Sequence, residues 1–197
     1  MRIRTCGTSG PVVVVLHGGP AAVGEAAPIA RGLADSFRVL EPWQRCSGDE
    51  PLSVSRHVAD LHELVETRSA DARPALVGES WGAMLALAYA AEHPRGAGPI
   101  VLVGCGTFDT VARARMQVIL EERMDHDLRR RLEHLSEEFP DPGTRLKKRH
   151  DLTKVLYMVD PIETNQAEED TEPIDARAHA ETWEDMLRLQ REGVYPA

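Results

Sequence analysis

The pentapeptide Gly78-Glu79-Ser80-Trp81-Gly82 limits what this chain can fold into more than any other stretch of it. It joins a short apolar run, Ala75–Gly78, to an Ala-rich run, Trp81–Ala91, that is apolar almost all round. That pattern predicts a buried strand passing into a buried helix across one serine. A serine on so tight a turn is held in strained backbone with its Oγ projecting above the sheet. Glycines on either side remove the Cβ atoms that would clash where strand and helix crowd together. Amides at the helix start favour developing negative charge nearby. Ser80 is therefore the candidate catalytic nucleophile.

A second motif supports the first. The β-branched run Val12–Leu16 reads as a buried strand and ends in His17-Gly18-Gly19-Pro20. Acyl transfer to a serine needs two backbone N–H groups aimed at the developing oxyanion. One is expected from Trp81, the residue after the nucleophile, and the other from Gly19 in the earlier loop. Neither G-x-x-x-x-G-K-[ST] nor G-x-G-x-x-G occurs, which argues against a phosphate-binding loop. His17 is expected to prop the loop rather than act as general base.

Between and after these motifs, strand-like and helix-like runs alternate. Phe37–Leu40 and Ile100–Val103 read as further strands, and Ile3–Thr5 as one more. Ala26, Ile29, Ala30 and Leu33 mark one helix, and Val54, Val58, Leu61 and Val65 another, with Ser53 or Ser55 as its N-cap. Alternation of this kind predicts an α/β fold: a doubly wound, mostly parallel sheet with helices on both faces. From Thr107 the β-branched runs vanish. Apolar faces then recur at helical spacing: Met116, Ile119, Leu120 and Met124; Leu128, Leu132 and Leu135; Leu152, Val155, Leu156 and Val159; Ala176, Ala180, Trp183 and Leu187. Residues 1–106 are expected to form the core and residues 107–197 a helical cap. The net charge of −9 falls as −2 on the first region and −7 on the second. Asp160–Asp175, with seven acids and no base, reads as a solvated loop.

This charge argues against nucleic acid or an anionic membrane surface as partner. No run suits a membrane span or a signal peptide, so a cytoplasmic protein is expected. Cys6, Cys46 and Cys105 are odd in number and lack metal-type spacing, so neither a disulfide framework nor a zinc site is suggested; no metal and no cofactor are expected.

A strand ending in His17-Gly18-Gly19-Pro20, a Gly-x-Ser80-Trp81-Gly82 elbow some sixty residues on and a helical insertion after the next strand resemble the proline iminopeptidase branch of the α/β-hydrolases. That branch usually has Gly where this chain has Ala21, and often where it has Glu79. The resemblance implies a serine hydrolase acting on esters or amides, amino-terminal peptide bonds among them, with a small molecule or short peptide as substrate. It also implies that Trp183-Glu184 matches a cap Trp-Glu pair holding a substrate amino group; a buried Trp beside a solvated Glu184 is the blander reading. The family's acid and histidine come on loops after two further strands beyond the cap. No strand-like run follows residue 107, so an incomplete α/β-hydrolase core and triad are expected in this chain. Asp109 follows the fourth clear strand, where some members carry their acid, though a helix-capping role is the simpler expectation. His57 and His62 are read as surface residues of a helix, His93 as a helix-end cap, and His126, His134, His150 and His179 as cap residues. Lacking its usual neighbour, the Ile100–Val103 edge is expected to pair with a second copy, to mark a shortened chain, or to leave the fold marginally stable. The competing reading is a non-catalytic, hydrolase-like ligand-binding or interaction module. A further resemblance, Gly-Glu79-Ser80-aromatic, is to serine carboxypeptidases, in which the Glu binds a terminal carboxylate.

Overall fold

The computed structural model describes residues 1–69, 73–160 and 173–194. The acidic loop expected over residues 160–175 lies, from 161 to 172, outside the described residues. The elements run β1 (Ile3–Cys6), β2 (Val12–Leu16), α1 (Ala27–Gly32), β3 (Arg38–Pro42), α2 (Val54–Arg68), β4 (Ala75–Glu79), α3 (Trp81–Glu92), β5 (Ile100–Val103), α4 (Thr110–Arg123), α5 (His126–Glu138), α6 (Pro142–Tyr157) and α7 (Ala176–Arg191). By their contacts they divide into two compact units, Met1–Gly106 with Glu168–Ala197, and Thr107–Ala167. This corrects the sequence-based division in one respect: α7 groups with the strands rather than with the other late helices.

In the first unit the five strands order as β1-β3-β2-β4-β5, parallel throughout except for β1, which runs antiparallel to β3. The chain leaves β2 toward β3 on one side and returns to β4 on the other. With right-handed crossovers this puts α1 on one face and α2 and α3 on the opposite face. Val13 and Val15 of β2, with Val39 and Val77, pack against Ala26 and Ala30 at α1. The alternate positions Val14, Leu16, Leu40 and Leu76 are buried as well, as strands covered on both faces require. A buried ion pair, Arg4 to Glu41, fastens β1 to β3. Burial pushes the Glu41 carboxyl up from its ordinary range, and Arg4 opposes that shift.

Helix α7 is held by its carboxylates. Asp175 caps its own helix by accepting from Ala178 N at 2.9 Å and also accepts from Ser47 N and Oγ at 2.8 and 2.6 Å. Glu181 accepts from Leu52 N at 2.9 Å, and Asp185 from Val54 N, the first residue of α2, at 2.8 Å. Burial pushes Asp175 up, but these N–H and O–H donors outweigh it and hold the carboxyl below its usual range. The Leu52 N–H bond likewise lowers Glu181. The buried stripe of α7 is Ala178, Thr182 and Met186, not the expected face of Ala176, Ala180, Trp183 and Leu187. A polar residue, Thr182, sits at the centre of the true stripe, so apolar periodicity selected the wrong side.

Among the described residues, the second unit has three helices around Leu120, Leu128 and Leu156, flanked by Met116, Met124, Leu132 and Leu152. Val155 and Val159, expected on the buried face of α6, are exposed. Asp109, Asp125 and Asp141 cap α4, α5 and α6 by accepting N–H bonds from Ala112, Leu128 and Thr144. Part of the acidic excess after residue 107 is therefore helix capping. Among the described residues, no helix is long and apolar enough to cross a membrane.

Candidate functional site

The strand order reverses between β2 and β4, and the crevice beyond their carboxyl ends is where open α/β sheets bind ligands. Leu16 lies opposite Gly78 in register, so the segments that follow the two strands emerge side by side. Those segments are His17-Gly18-Gly19-Pro20 and Ser80-Trp81.

Ser80 is exposed, with φ 50° and ψ −112°, a left-handed backbone that non-glycine residues rarely adopt. Its N–H bonds Val103 O at 2.9 Å, while its carbonyl accepts from Ala83 N and Met84 N at 3.2 and 3.3 Å. The turn is thus pinned to β5 on one side and to α3 on the other. The first N–H groups of α3, those of Trp81 and Gly82, have no intrahelical acceptor. Both flanking glycines are sterically obligatory. A Cβ on Gly78 would overlap the carbonyl of Gly82 and lie 2.5 Å from Ala83 N; one on Gly82 would overlap Leu16 O and lie 2.7 Å from His17 O. A Cβ on Gly18 would come within 3.3 Å of Ser80 Cβ, so that loop runs directly against the serine. Gly19 is exposed at φ 115°, where a side chain would lie 2.6 Å from Ala22 N.

Behind these exposed groups is a buried polar cluster. His17 Nδ1 faces Gly18 O at 2.8 Å; a carbonyl only accepts, so Nδ1 carries the proton. His17 Nε2 accepts from Gln44 N at 3.2 Å, and Gln44 Nε2 donates to His17 O at 3.1 Å. Gln44 Oε1 accepts from the Trp81 indole N–H at 2.8 Å. Trp81 and His57 pack in a T-shaped arrangement at a centroid separation of 5.8 Å, and His57 Nε2 hydrogen-bonds Thr182 Oγ1 at 3.0 Å. Burial lowers His17 and His57 from 6.5 to about 4, so both are neutral at pH 7. His17 is a structural prop, as its sequence context suggests. His57, read from the sequence as a surface residue, is buried on α2 against Trp81.

The remaining expected residues are scattered. Asp109 caps α4. His126, His134 and His150 are exposed on the second unit. His179 belongs to α7 and stacks near Trp183. His93 ends α3 and stacks on His62 at 3.9 Å. Glu184 is exposed on α7, on the side away from Thr182 and Met186. Among the described residues, no histidine or carboxylate hydrogen-bonds to Ser80 Oγ. A groove of about 430 Å³ beside Ile3, Arg45, Asp60 and Leu64 shares no residue with the elbow. Gln44, His57 and Thr182 were not legible as site residues, because a single polar residue after a strand or within a helix carries no periodic signal.

Residues 13–194 match the model of the family described as "Alpha/beta hydrolase family". Proline iminopeptidases of Neisseria meningitidis and Neisseria gonorrhoeae are 35% identical over 114 residues and 36% identical over 104 residues. These matches cover 52% and 48% of this chain and 36% and 33% of the relatives, so the chain spans about a third of the length of the curated relatives it matches. Among solved structures, E-2-(acetamidomethylene)succinate hydrolase superposes with TM-score 0.54 at 21% identity, over 93% of this chain and 68% of that one. A membrane phospholipase A superposes with TM-score 0.55 at 17% identity, over 96% and 59%. At such identities the two structures speak for the fold.

The neutral histidines give a pH dependence with a defined sign. Between pH 6.5 and about 4 the unfolded chain binds protons that His17 and His57 refuse when folded. The stability tied to their neutral state is fully present above pH 6.5 and is lost as pH falls toward 4. The loss is on the order of 2–3 kcal/mol for each histidine. Urea denaturation between pH 7.5 and 4.5 should show this decline, and His57→Gln should flatten it. An unchanged slope in the variant would remove His57 from the account.

Proposed function

The chain belongs to the α/β-hydrolase family, and on that premise we propose that it is a serine hydrolase in which Ser80 attacks the carbonyl carbon of an ester or amide. The observation that carries this reading is the exposed Ser80 on its strained turn at the start of α3, beside the glycine loop. In this reading the Ser80 Oγ bonds to the carbonyl carbon and its proton passes to a base. The carbonyl oxygen becomes an oxyanion held by the N–H groups of Trp81 and Gly19. Those donors are backbone groups fixed before substrate arrives, so little reorganisation opposes the charge as it develops. The likeness to proline iminopeptidases supports a small substrate with a free amino terminus.

One observation favours a second reading. Because no described histidine or carboxylate hydrogen-bonds to Ser80, the same elbow would also suit a ligand-binding module without turnover. Intact-mass analysis after treatment with a fluorophosphonate separates the two. The hydrolase reading expects one adduct per chain, mapped to Ser80 and lost in Ser80→Ala. A folded chain that takes up no adduct would leave the binding module standing.

The partner proposed for the sheet edge is a second copy of this chain. Val101, Leu102 and Val103 of β5 are 49%, 43% and 41% exposed, an interior composition at an edge with unpaired backbone. Sedimentation velocity should show self-association that rises with concentration and weakens in Leu102→Lys. A monomer at every concentration would contradict it.

A further inference from the structure

We propose that Gln44 is the positioning residue of the site, joining the segments that carry the two oxyanion donors. The inference rests on the serine-hydrolase reading, and Gln44 itself touches neither substrate nor Ser80 in it. The side-chain amide of Gln44 bridges two elements: Nε2 donates to His17 O at 3.1 Å and Oε1 accepts from the Trp81 indole at 2.8 Å. Its own backbone N–H donates to His17 Nε2 at 3.2 Å. Gln44 is 6% exposed, His17 0% and Trp81 1%, so water does not compete for these groups. Each partner fixes the orientation of the amide. An indole N–H only donates and a carbonyl only accepts, so a flipped amide would oppose both.

The consequence is geometric. Trp81 is the first residue of α3, and its backbone N–H is one proposed donor; His17 opens the loop whose Gly19 supplies the other. The two donors follow different strands, β2 and β4, and among the described residues the Gln44 side chain hydrogen-bonds both His17 and Trp81. Gln44 stands just after β3, so three neighbouring strands converge on one amide. Donor spacing is what oxyanion stabilisation depends on, and a misplacement of about 1 Å can cost about a hundredfold in rate.

The test compares wild type, Gln44→Met and Gln44→Glu, each checked for folding by circular dichroism. The readouts are the fluorophosphonate reaction at Ser80, separated into inhibitor affinity and maximal rate, and the Trp81 indole ¹H–¹⁵N resonance, assigned with Trp81→Phe. Gln44→Met, close in volume but without the amide, should keep its affinity and lose about tenfold or more in maximal rate. Its indole resonance should shift upfield and exchange faster. Gln44→Glu keeps the acceptor for Trp81 but offers His17 O a proton only when protonated. Its rate relative to wild type at the same pH should therefore recover as pH falls. A folded Gln44→Met that reacts at the wild-type maximal rate overturns the positioning role and leaves Ser80 as the nucleophile. Should Gln44→Met not fold, a Glu-to-wild-type ratio that is constant across pH overturns it instead. A wild type that does not react at all removes the nucleophile reading, and the positioning role with it.

Discussion

Gly82 rests against the backbone carbonyls of Leu16 and His17, and Gly78 against Gly82 and Ala83. The rest of the site depends on that contact, because it allows the first turn of α3 to sit in the angle between the ends of β2 and β4. Any side chain at either glycine would push the helix out of that angle. With the helix seated, Ser80 has no room for ordinary backbone and takes φ 50°. Bonds from Ser80 N to Val103 O, and from Ala83 and Met84 to Ser80 O, hold it there. Strain of this kind, about 1–3 kcal/mol, persists only where the surroundings over-determine it.

The same contact explains why so much of the centre was legible in the sequence. The turn residues and the strands beside them are dictated by local sterics and by runs of β-branched residues, and both leave a mark on the chain. Val12–Leu16 and Ile100–Val103 form strands over those residues, and Ser53 caps α2 by accepting from Arg56 N at 3.2 Å. Legibility fails where position depends on polar contacts distant in sequence. Asp175, Glu181 and Asp185 bond the N–H groups of Ser47, Leu52 and Val54 across more than 120 residues of chain. Those bonds draw α7 to the strand-bearing unit with Thr182 inward, against the apolar pattern that suggested another face. His57 was misread for the same reason: its neighbours Trp81 and Thr182 come from elsewhere in the chain.

The histidines of the polar cluster share one role. His17 and His57 are buried, neutral and committed to hydrogen bonds that shape the loop and support Trp81. They are scaffold groups. The proposed nucleophile is a hydroxyl and the proposed oxyanion donors are backbone amides.

In the proposed function Ser80, Gly19 and Trp81 form one oxyanion-stabilising centre. A crystal structure of the chain after reaction with a small phosphonate would test it most directly. The expected result is a covalent bond from Ser80 Oγ to phosphorus, with one phosphoryl oxygen within about 3 Å of the N–H groups of both Gly19 and Trp81. A phosphonate on another residue, or on Ser80 with its oxygen turned away from both amides, would contradict it.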